Sequence, residues 1–281
     1  MKSASEGAEQ DIRRRQLPPE TLRVLQITDT HLYAEPDARL LGVNTLDSFR
    51  SVIDTFKEID WETDLVLATG DLVHDASPTG YQGLTKLLDH FKLPVFCLPG
   101  NHDVPEVMYQ HLASALVTTS SVIDKGNWRF VMLDSVIPGE VGGRLEKQQL
   151  QLLQDALSNN SRPTLVCLHH QPVPVGSQWI DSMGLENSGE FMQIVEQASC
   201  VRGVLWGHVH QQYDAIHHGV RLMATPSTCI QFSTNSDDFS VDNAPPGFRL
   251  LALLPDGTIE TQVMRTPEMP AGLHLASGGY K

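Results

Sequence analysis

Five short polar motifs, rich in Asp, Asn and His, each follow an apolar, strand-like run of the chain. They are Asp29-Thr30-His31, Gly70-Asp71, Gly100-Asn101-His102-Asp103, His169-His170 and Gly207-His208-Val209-His210. Carboxylate, carboxamide and imidazole groups are ligands of borderline divalent metals such as Mn, Fe and Zn. Because a strand that ends in such a residue delivers it to one edge of a sheet, the repetition predicts one shared metal site.

The first two motifs supply acidic groups. Asp29 and His31 are separated by one residue, so both side chains point to the same side if the strand continues. The carboxylate of Asp71 follows a glycine that permits a sharp exit from its strand, and its two oxygens can bridge two cations. Together these motifs predict an acidic centre for the metal site.

The third motif combines a ligand with a residue that faces substrate. Asn101 offers a neutral carbonyl oxygen to a metal. His102 need not bind metal, because neighbouring side chains diverge, and it can reach the substrate as a proton donor or a positive charge. We expect Asp103 to orient His102 by accepting a hydrogen bond from it.

The last two motifs contribute further histidines. Adjacent His169 and His170 cannot easily bind the same ion, so one is expected to be a ligand while the other packs or holds a loop. His208 and His210 can each reach a different ion of a pair. His74, just past the Gly70-Asp71 turn, is a weaker candidate for a substrate contact. The remaining histidines are interpreted as surface or structural residues: His90, His111, His217, His218 and His274.

Strand-like and helix-like segments alternate between these motifs, which predicts an α/β fold with a sheet packed between helices. The expected strands are Arg23–Thr28, Asp64–Thr69, Val95–Leu98, Arg129–Leu133, Thr164–Leu168, Arg202–Trp206, Arg221–Ala224 and Phe248–Leu254, the last forming a hairpin with Thr258–Met264. The expected helices are Leu46–Ile59, Thr79–His90, Pro105–Ala115, Glu146–Leu157 and Ser188–Gln197. All five motifs fall at carboxyl ends of strands, where ligands gather in such sheets.

Composition narrows the function classes. The chain of 281 residues has 34 acidic and 20 basic residues and a formal net charge of −14, which argues against a nucleic-acid surface. No stretch approaches the ~20 apolar residues that span a bilayer, and the polar N-terminus is not a secretory signal. None of the four cysteines lies in a CxxC pair, which favours a reducing, cytoplasmic location.

Domain limits follow from the same patterns. Residues 1–20 are polar, end in Pro18-Pro19 and are predicted to be a disordered tail. Residues 21–266 are predicted to form one catalytic domain, and residues 267–281 a C-terminal tail or an arm onto a partner. Both a monomer and a homodimer are compatible with this organisation.

The ordered motifs resemble the calcineurin-like metallophosphoesterase superfamily over residues 23–264. Longer strings resemble the bacterial class III 3′,5′-cyclic AMP phosphodiesterases within it. Those strings are Leu25-Gln26-Ile27-Thr28-Asp29-Thr30-His31-Leu32, Leu41-Gly42-Val43-Asn44-Thr45, His169-His170-Gln171-Pro172-Val173-Pro174 and Ala224-Thr225-Pro226-Ser227-Thr228-Cys229-Ile230-Gln231-Phe232. The resemblance implies a four-layer α/β/β/α sandwich with two divalent ions (Fe, Mn or Zn) at the carboxyl ends of the strands.

The resemblance also assigns roles. The implied ligands of the first ion are Asp29, His31, Asp71 and His210. Those of the second are Asp71, Asn101, His169 and His208, so that Asp71 bridges the pair. The resemblance also implies that His169 and not His170 is the ligand, and that His102 is the catalytic residue. The implied substrate contacts are His31, Asp71, Asn101, His102, His169 and His210.

The implied activity is hydrolysis of cyclic AMP to 5′-AMP, in which hydroxide generated at the metal pair attacks phosphorus and His102 assists the leaving 3′-oxygen. One alternative is a metallophosphoesterase with another phosphodiester or a phosphomonoester as substrate. The lack of a basic groove and of an anchoring amphipathic helix disfavours a nuclease and a lipid substrate. A second alternative, a scaffold that lost its metals, is disfavoured because every ligand position is filled.

Overall fold

The computed structural model describes residues 11–279, which form two six-stranded sheets, two short two-stranded ribbons and six α-helices. The strands are β1 (Leu22–Ile27), β2 (Arg39–Leu40), β3 (Val43–Asn44), β4 (Leu65–Thr69), β5 (Val95–Leu98), β6 (Val117–Thr118), β7 (Val122–Lys125), β8 (Trp128–Met132), β9 (Thr164–Cys167), β10 (Val201–Trp206), β11 (Tyr213–His217), β12 (Val220–Ala224), β13 (Gln231–Phe232), β14 (Val241–Asp242), β15 (Gly247–Leu253) and β16 (Ile259–Arg265). The helices are α1 (Thr45–Glu58), α2 (Pro78–Asp89), α3 (Pro105–His111), α4 (Lys147–Leu157), α5 (Gln178–Asp181) and α6 (Ser188–Gln197).

Each sheet has a parallel centre. The first has the order β16-β15-β1-β4-β5-β6, in which β1, β4, β5 and β6 run parallel and the β15–β16 hairpin is antiparallel. The second has the order β11-β12-β10-β9-β8-β7, with antiparallel strands at both edges. Parallel neighbours bring their carboxyl ends to the same edge of a sheet, so the loops after them meet there.

Side chains alternate between two cores along the central strands, as the period of a strand requires. In β1, Leu25 and Ile27 face the helices, whereas Val24 packs in the core between the two sheets. The inter-sheet core joins strands of both sheets, for example Leu67 and Trp128. Because both faces are covered, the central strands are apolar at nearly every position.

Helices cover the outer faces. Asn44 caps the start of α1, since its side-chain oxygen accepts from the Asp47 N–H, and the helix packs Phe49 against the first sheet. On the other side, Leu153 of α4 and Phe191 of α6 pack in the outer core of the second sheet. The predicted four-layer α/β/β/α arrangement is confirmed.

The expected elements occur with small shifts of their ends. The largest shift is in α3, which ends at His111 rather than at Ala115. The sequence interpretation missed the edge strands β7 and β11, most of whose residues are exposed. Such strands lack the apolar run by which the buried strands were recognised.

Both predicted tails have contacts with the domain where they are described. Residues 1–10 of the predicted N-terminal tail lie outside the described residues, but Ile12 is buried and its N–H donates to Gln262 Oε1 at 3.2 Å. In the C-terminal segment, Leu273 packs beside the β2–β3 ribbon, and the His274 N–H donates to the Leu41 carbonyl at 2.9 Å. The limits of the catalytic domain stay a prediction.

Two further sequence expectations concern crosslinks and membranes. Cys97, Cys167, Cys200 and Cys229 are all buried and free. Within residues 11–279, none of the helices combines the length and the apolar character needed to cross a membrane.

Candidate metal centre

The predicted ligands lie in the loops that follow β1, β4, β5, β9 and β10, where the carboxyl edges of the two sheets meet. Six of the seven side chains are at most 4 % exposed: Asp29, His31, Asp71, His169, His208 and His210. Asn101 is half-buried and shares a cavity wall with Asp71 and His208. The chain thus places all seven predicted ligands in one largely buried centre.

The backbone at this centre is in an uncommon conformation. Asp29, His31, Asp71, His208 and His210 all have positive φ, between 45° and 64°. Non-glycine residues in the left-handed region carry strain, which persists only where the surroundings impose it. Here backbone hydrogen bonds from Asp29 N–H to Gly70 O (3.0 Å) and from His31 N–H to Asp71 O (2.9 Å) tie two of the loops together.

Three glycines let these loops approach one another. A Cβ on Gly70 would collide with the His169 ring, and one on Gly100 would collide with the Asp71 carboxylate. A Cβ on Gly207 would lie against the Thr28 hydroxyl and 2.7 Å from Asp29 Oδ2. The glycines of the motifs therefore provide space for ligand side chains.

One group of ligand atoms joins Asp29, His31 and His210. The His210 Nε2 atom lies 3.2 Å from Asp29 Oδ1 and 3.1 Å from His31 Nε2. Asp71 Oδ2 lies 3.8 Å from the same His31 atom. Two imidazoles and two carboxylates around one point are a suitable donor set for a borderline divalent cation.

A second group surrounds the other oxygen of Asp71. His169 Nε2 lies 3.4 Å from Asp71 Oδ1 and 3.9 Å from Asp29 Oδ1. Three buried atoms at this centre have no hydrogen-bond partner among the described residues: Asn101 Oδ1, His169 Nε2 and His208 Nε2. Buried polar atoms without partners are costly, and a bound cation would satisfy all three. These residues therefore fit a second metal ion.

Backbone carbonyls fix the tautomers of two histidines. His169 Nδ1 lies 2.9 Å from the Thr69 carbonyl oxygen, and His210 Nδ1 lies 2.9 Å from that of Ile230. Since a carbonyl only accepts, each Nδ1 carries the hydrogen, and in the neutral ring Nε2 presents a lone pair. Such outer contacts orient metal-binding histidines toward their ion.

Burial and neighbouring charges set the protonation of the centre. Burial lowers the pKa of His31 and His208 well below the ordinary value, which keeps both rings neutral. Burial also opposes charge on His169, but Asp71 and Asp29 outweigh it and raise its pKa to about 9. Although burial opposes charge on Asp71 as well, the histidines around it, His169 first, hold its pKa well below the usual range. The carboxylate is therefore ionised.

His102 and His74 form a pair at the edge of the centre. Their rings stack with centroids 4.2 Å apart, and His74 Nδ1 lies 3.0 Å from His31 Nδ1. The backbone N–H of His102 donates to Asp71 Oδ1 at 2.9 Å. His74 was a weaker candidate in the sequence analysis, where its position just past the Gly70-Asp71 turn was the signal.

His170 holds a loop, one of the two roles left open for the histidine that is not a ligand. Its Nδ1 lies 2.8 Å from the Ser135 hydroxyl and its Nε2 lies 3.1 Å from the Val141 carbonyl. Because the carbonyl only accepts, Nε2 carries the hydrogen and Nδ1 accepts from Ser135. His170 thereby fastens residues 135–141 beside the centre.

The Asp103 carboxylate binds backbone groups of two loops, and the expectation that it orients His102 stays a prediction. Its carboxylate accepts from the backbone N–H groups of Leu72, Val73 and Gly100, at 2.9 to 3.1 Å, and from the Tyr81 hydroxyl at 2.9 Å. Asp103 thus joins the β4 and β5 loops.

The centre opens into a cavity of about 360 Å³. Asp71, Asn101, His102 and His208 line one part of it. The other lining residues are Val141, Trp179, Ile180, Met183, Phe232, Phe239 and Gly279. This volume falls within the range of small-molecule sites, so a small ligand can reach the predicted ligands and His102 together.

Comparisons with known proteins agree with this geometry. Residues 22–212 match the calcineurin-like phosphoesterase family. The chain is 41 % identical over 266 residues to the 3′,5′-cyclic adenosine monophosphate phosphodiesterase CpdA of Vibrio vulnificus, covering 94 % of each chain. It is 40 % identical to the protein of the same name from Escherichia coli K12, covering 92 % of this chain and 95 % of the relative. A dimetal phosphatase from Danio rerio has a similar fold, with a TM-score of 0.61, 15 % identity and coverage of 87 % and 99 %.

The fold and the centre define a metal-dependent hydrolase of phosphoesters. The chain belongs to the calcineurin-like phosphoesterase family, and it is an enzyme. Its buried Asp and His clusters are compatible with the dinuclear metal site of that family.

Proposed function

We propose that this enzyme hydrolyses 3′,5′-cyclic AMP to 5′-AMP in a catalytic domain of residues 21–266. The observation that carries the chemistry is the position of Asp71, whose two carboxylate oxygens face different groups of ligand atoms. Support for the substrate comes from the relatives, since proteins that are 40 % and 41 % identical over most of the chain bear the name of this activity. The formal net charge of −14 supports a small nucleotide over a nucleic acid as substrate.

Two divalent cations, Fe, Mn or Zn, would be held by the centre. We assign the first ion to Asp29, His31, Asp71 and His210. We assign the second to Asp71, Asn101, His169 and His208. When bound, such a pair would neutralise the charge of the phosphodiester and lower the pKa of a bound water, so that hydroxide would form near neutral pH. The unpartnered Asn101 Oδ1, His169 Nε2 and His208 Nε2 atoms support the second assignment.

We assign the catalytic proton to His102. Its side chain lines the cavity beside Asp71 and Asn101, and its ring packs against those of His74 and His31. In this position the imidazole donates a hydrogen bond or a proton to the leaving 3′-oxygen as the P–O bond breaks. We propose further substrate contacts from His31, Asp71, Asn101, His169 and His210.

The proposed compartment is the cytoplasm. Its support is chemical: Cys97, Cys167, Cys200 and Cys229 are all free, and burial raises the pKa of Cys97 and Cys167 above the ordinary thiol range. Reduced, protonated thiols of this kind behave as small apolar core residues and suit a reducing environment.

A substrate panel tests the proposal. Metal content is measured by mass spectrometry, and kcat/KM is measured for cyclic AMP, cyclic GMP, a glycerophosphodiester and p-nitrophenyl phosphate. We expect about two divalent ions per chain and the highest kcat/KM on a cyclic nucleotide. Asp71→Asn is the matched control and should lose metal and turnover together. Turnover of the monoester alone would contradict the proposed function.

A further inference from the structure

The part of the cavity away from the metal ligands is apolar and aromatic. Trp179, Phe232 and Phe239 line it, and we call these three residues the aromatic wall. Trp179 lies in α5, Phe232 in β13 and Phe239 in the loop before β14. Trp179 and Phe239 are half-buried, whereas Phe232 is only 2 % exposed. The wall thus offers large apolar side chains to a ligand that also reaches the metal centre.

The three rings support one another. Trp179 lies edge-on to Phe232 and to Phe239, with centroids 5.0 and 5.1 Å apart and interplanar angles of 81° and 70°. Edge-to-face pairs at this distance are favourable and hold the rings in place. Phe232 in turn stacks on the His210 ring at 4.2 Å and 10°. The wall is therefore continuous with a predicted metal ligand.

We propose that the aromatic wall binds the base of a cyclic nucleotide by stacking while the metal centre binds the phosphodiester. This inference rests on the proposed function and names the groups that select a nucleoside. A base offers a flat π-face, and stacking on an aromatic side chain contributes to affinity for every base. A substrate without a base has no group to fill the apolar end of the cavity.

The same geometry limits the selection between bases. The polar lining side chains, Asp71, Asn101, His102 and His208, all belong to the metal end of the cavity. Among the described lining residues of the apolar end, the indole N–H of Trp179 is the one side-chain hydrogen-bond donor. Stacking is tolerant of base identity. We therefore expect kcat/KM for cyclic AMP and cyclic GMP to agree within about tenfold.

The test compares ligands with and without a base. Equilibrium dissociation constants of 5′-AMP and ribose 5-phosphate are measured by calorimetry on metal-loaded protein, and kcat/KM is measured for cyclic AMP and for methyl riboside 3′,5′-cyclic phosphate. We expect the wild type to prefer the ligand with a base by about 10- to 100-fold in both assays. Phe239→Ala should lose most of this preference, and Phe239→Tyr should keep it.

The variants are chosen to avoid the metal ligands. Phe232 is left intact because it stacks on His210, and Trp179→Leu provides a second change in the wall. Phe91→Ala is the matched control, since Phe91 is a half-buried aromatic residue in the core between the first sheet and its helices. We expect this control to keep the wild-type preference.

Two outcomes overturn different claims. Equal weakening of ligands with and without a base in Phe239→Ala and Trp179→Leu would overturn the role of the wall, and so would no change in either variant. A wild type that does not turn over any cyclic nucleotide would overturn the proposed function. The affinity ratio of 5′-AMP to ribose 5-phosphate would still decide whether the wall binds a base.

Discussion

The Nε2 atoms of His31 and His210 lie 3.1 Å apart in the buried loops where the carboxyl edges of the two sheets meet. In the neutral ring, His210 Nε2 presents a lone pair, because its Nδ1 donates to the Ile230 carbonyl. Asp29 Oδ1 lies 3.2 Å from the same atom, and burial keeps His31 neutral. The His210 lone pair and the Asp29 carboxylate are directed at one point and repel each other, so a divalent cation stabilises this arrangement.

Removal of metal should therefore destabilise the folded protein as well as abolish turnover. A ligand present at a hundred times its Kd contributes about 2.7 kcal/mol to stability. For a domain of this size we expect chelation to lower Tm by about 5–10 °C per ion lost. Thermal unfolding with and without EDTA measures the effect, and added Mn²⁺ should reverse it. An unchanged Tm in fully metal-depleted protein would contradict a buried metal pair.

The strand-end ligands were predictable because their signal is local. An apolar run followed by Asp71 or His169 can be read from adjacent residues, and parallel strands bring such ends together. The contacts of Asp103 and His170 could not be predicted from adjacent residues. Asp103 bonds to backbone groups about 30 residues earlier, and His170 bonds to Ser135 and Val141. Loop geometry decides such contacts, and no periodic pattern encodes loop geometry.

The aromatic wall could not be predicted from the sequence either, because it depends on long-range packing. Trp179, Phe232 and Phe239 come from separate segments that meet only in the folded chain. In the sequence each is one aromatic residue among many, and such residues most often belong to the core. The positive φ angles of Asp29 and His208 were equally unreadable, because long-range contacts impose them.

The glycines of the motifs give a prediction about loop approach. Gly207→Ala places a Cβ against Thr28 and Asp29, so we expect lower metal content and a loss of about 1–3 kcal/mol in stability. Gly83→Ala is the matched control, because a Cβ on this residue of α2 has no heavy atom within 4 Å. It should stabilise the protein by about 0.5–1 kcal/mol. Metal analysis and urea unfolding of both variants check the pair, and equal effects would refute the steric argument.

His170 predicts part of the pH dependence of stability. Burial, with the neighbouring His169, lowers the pKa of His170 to about 3, whereas an unfolded histidine binds its proton near pH 6.5. The unfolded state therefore binds more protons as pH falls, and stability is lost. Between pH 7.5 and 5.5 the free energy of unfolding should fall by about 1.4 kcal/mol through this residue.

The measurement is urea unfolding of chelator-treated wild type and His170→Gln at both pH values. We expect the pH-dependent loss to be smaller in His170→Gln by that amount. His90→Gln, at an exposed histidine, controls for the removal of one imidazole. Parallel pH profiles of the wild type and His170→Gln would show that the buried ring does not contribute.

Replacement of Arg249, which lies between the two sheets, should lower the free energy of unfolding strongly. Its guanidinium is fully buried and donates to both carboxylate oxygens of Asp214, at 3.1 and 3.0 Å, and to Thr225 Oγ1 at 3.0 Å. Arg249→Met leaves these acceptors without their donor, and we expect a loss of about 3–5 kcal/mol. Arg221→Met is the matched control, because Arg221 contacts the same carboxylate at 3.5 Å but is 30 % exposed. Its cost should stay below about 1 kcal/mol in urea unfolding, and equal costs would refute the argument from burial.

His102 gives the prediction that separates a proton donor from a metal ligand. We expect His102→Ala to lower kcat on cyclic AMP by about 10²–10⁴-fold, the usual contribution of a general acid, while metal content is unchanged. Asn101→Ala is the comparison, since it removes a proposed ligand atom and should lose metal.

A second substrate tests the role of His102 as a proton donor. The leaving group of bis(p-nitrophenyl) phosphate is stable as an anion and needs no proton when it departs. The loss in His102→Ala should therefore be smaller on that substrate. Metal loss in His102→Ala would identify the residue as a ligand, and an equal loss of kcat on both substrates would identify it as a group that positions the phosphate.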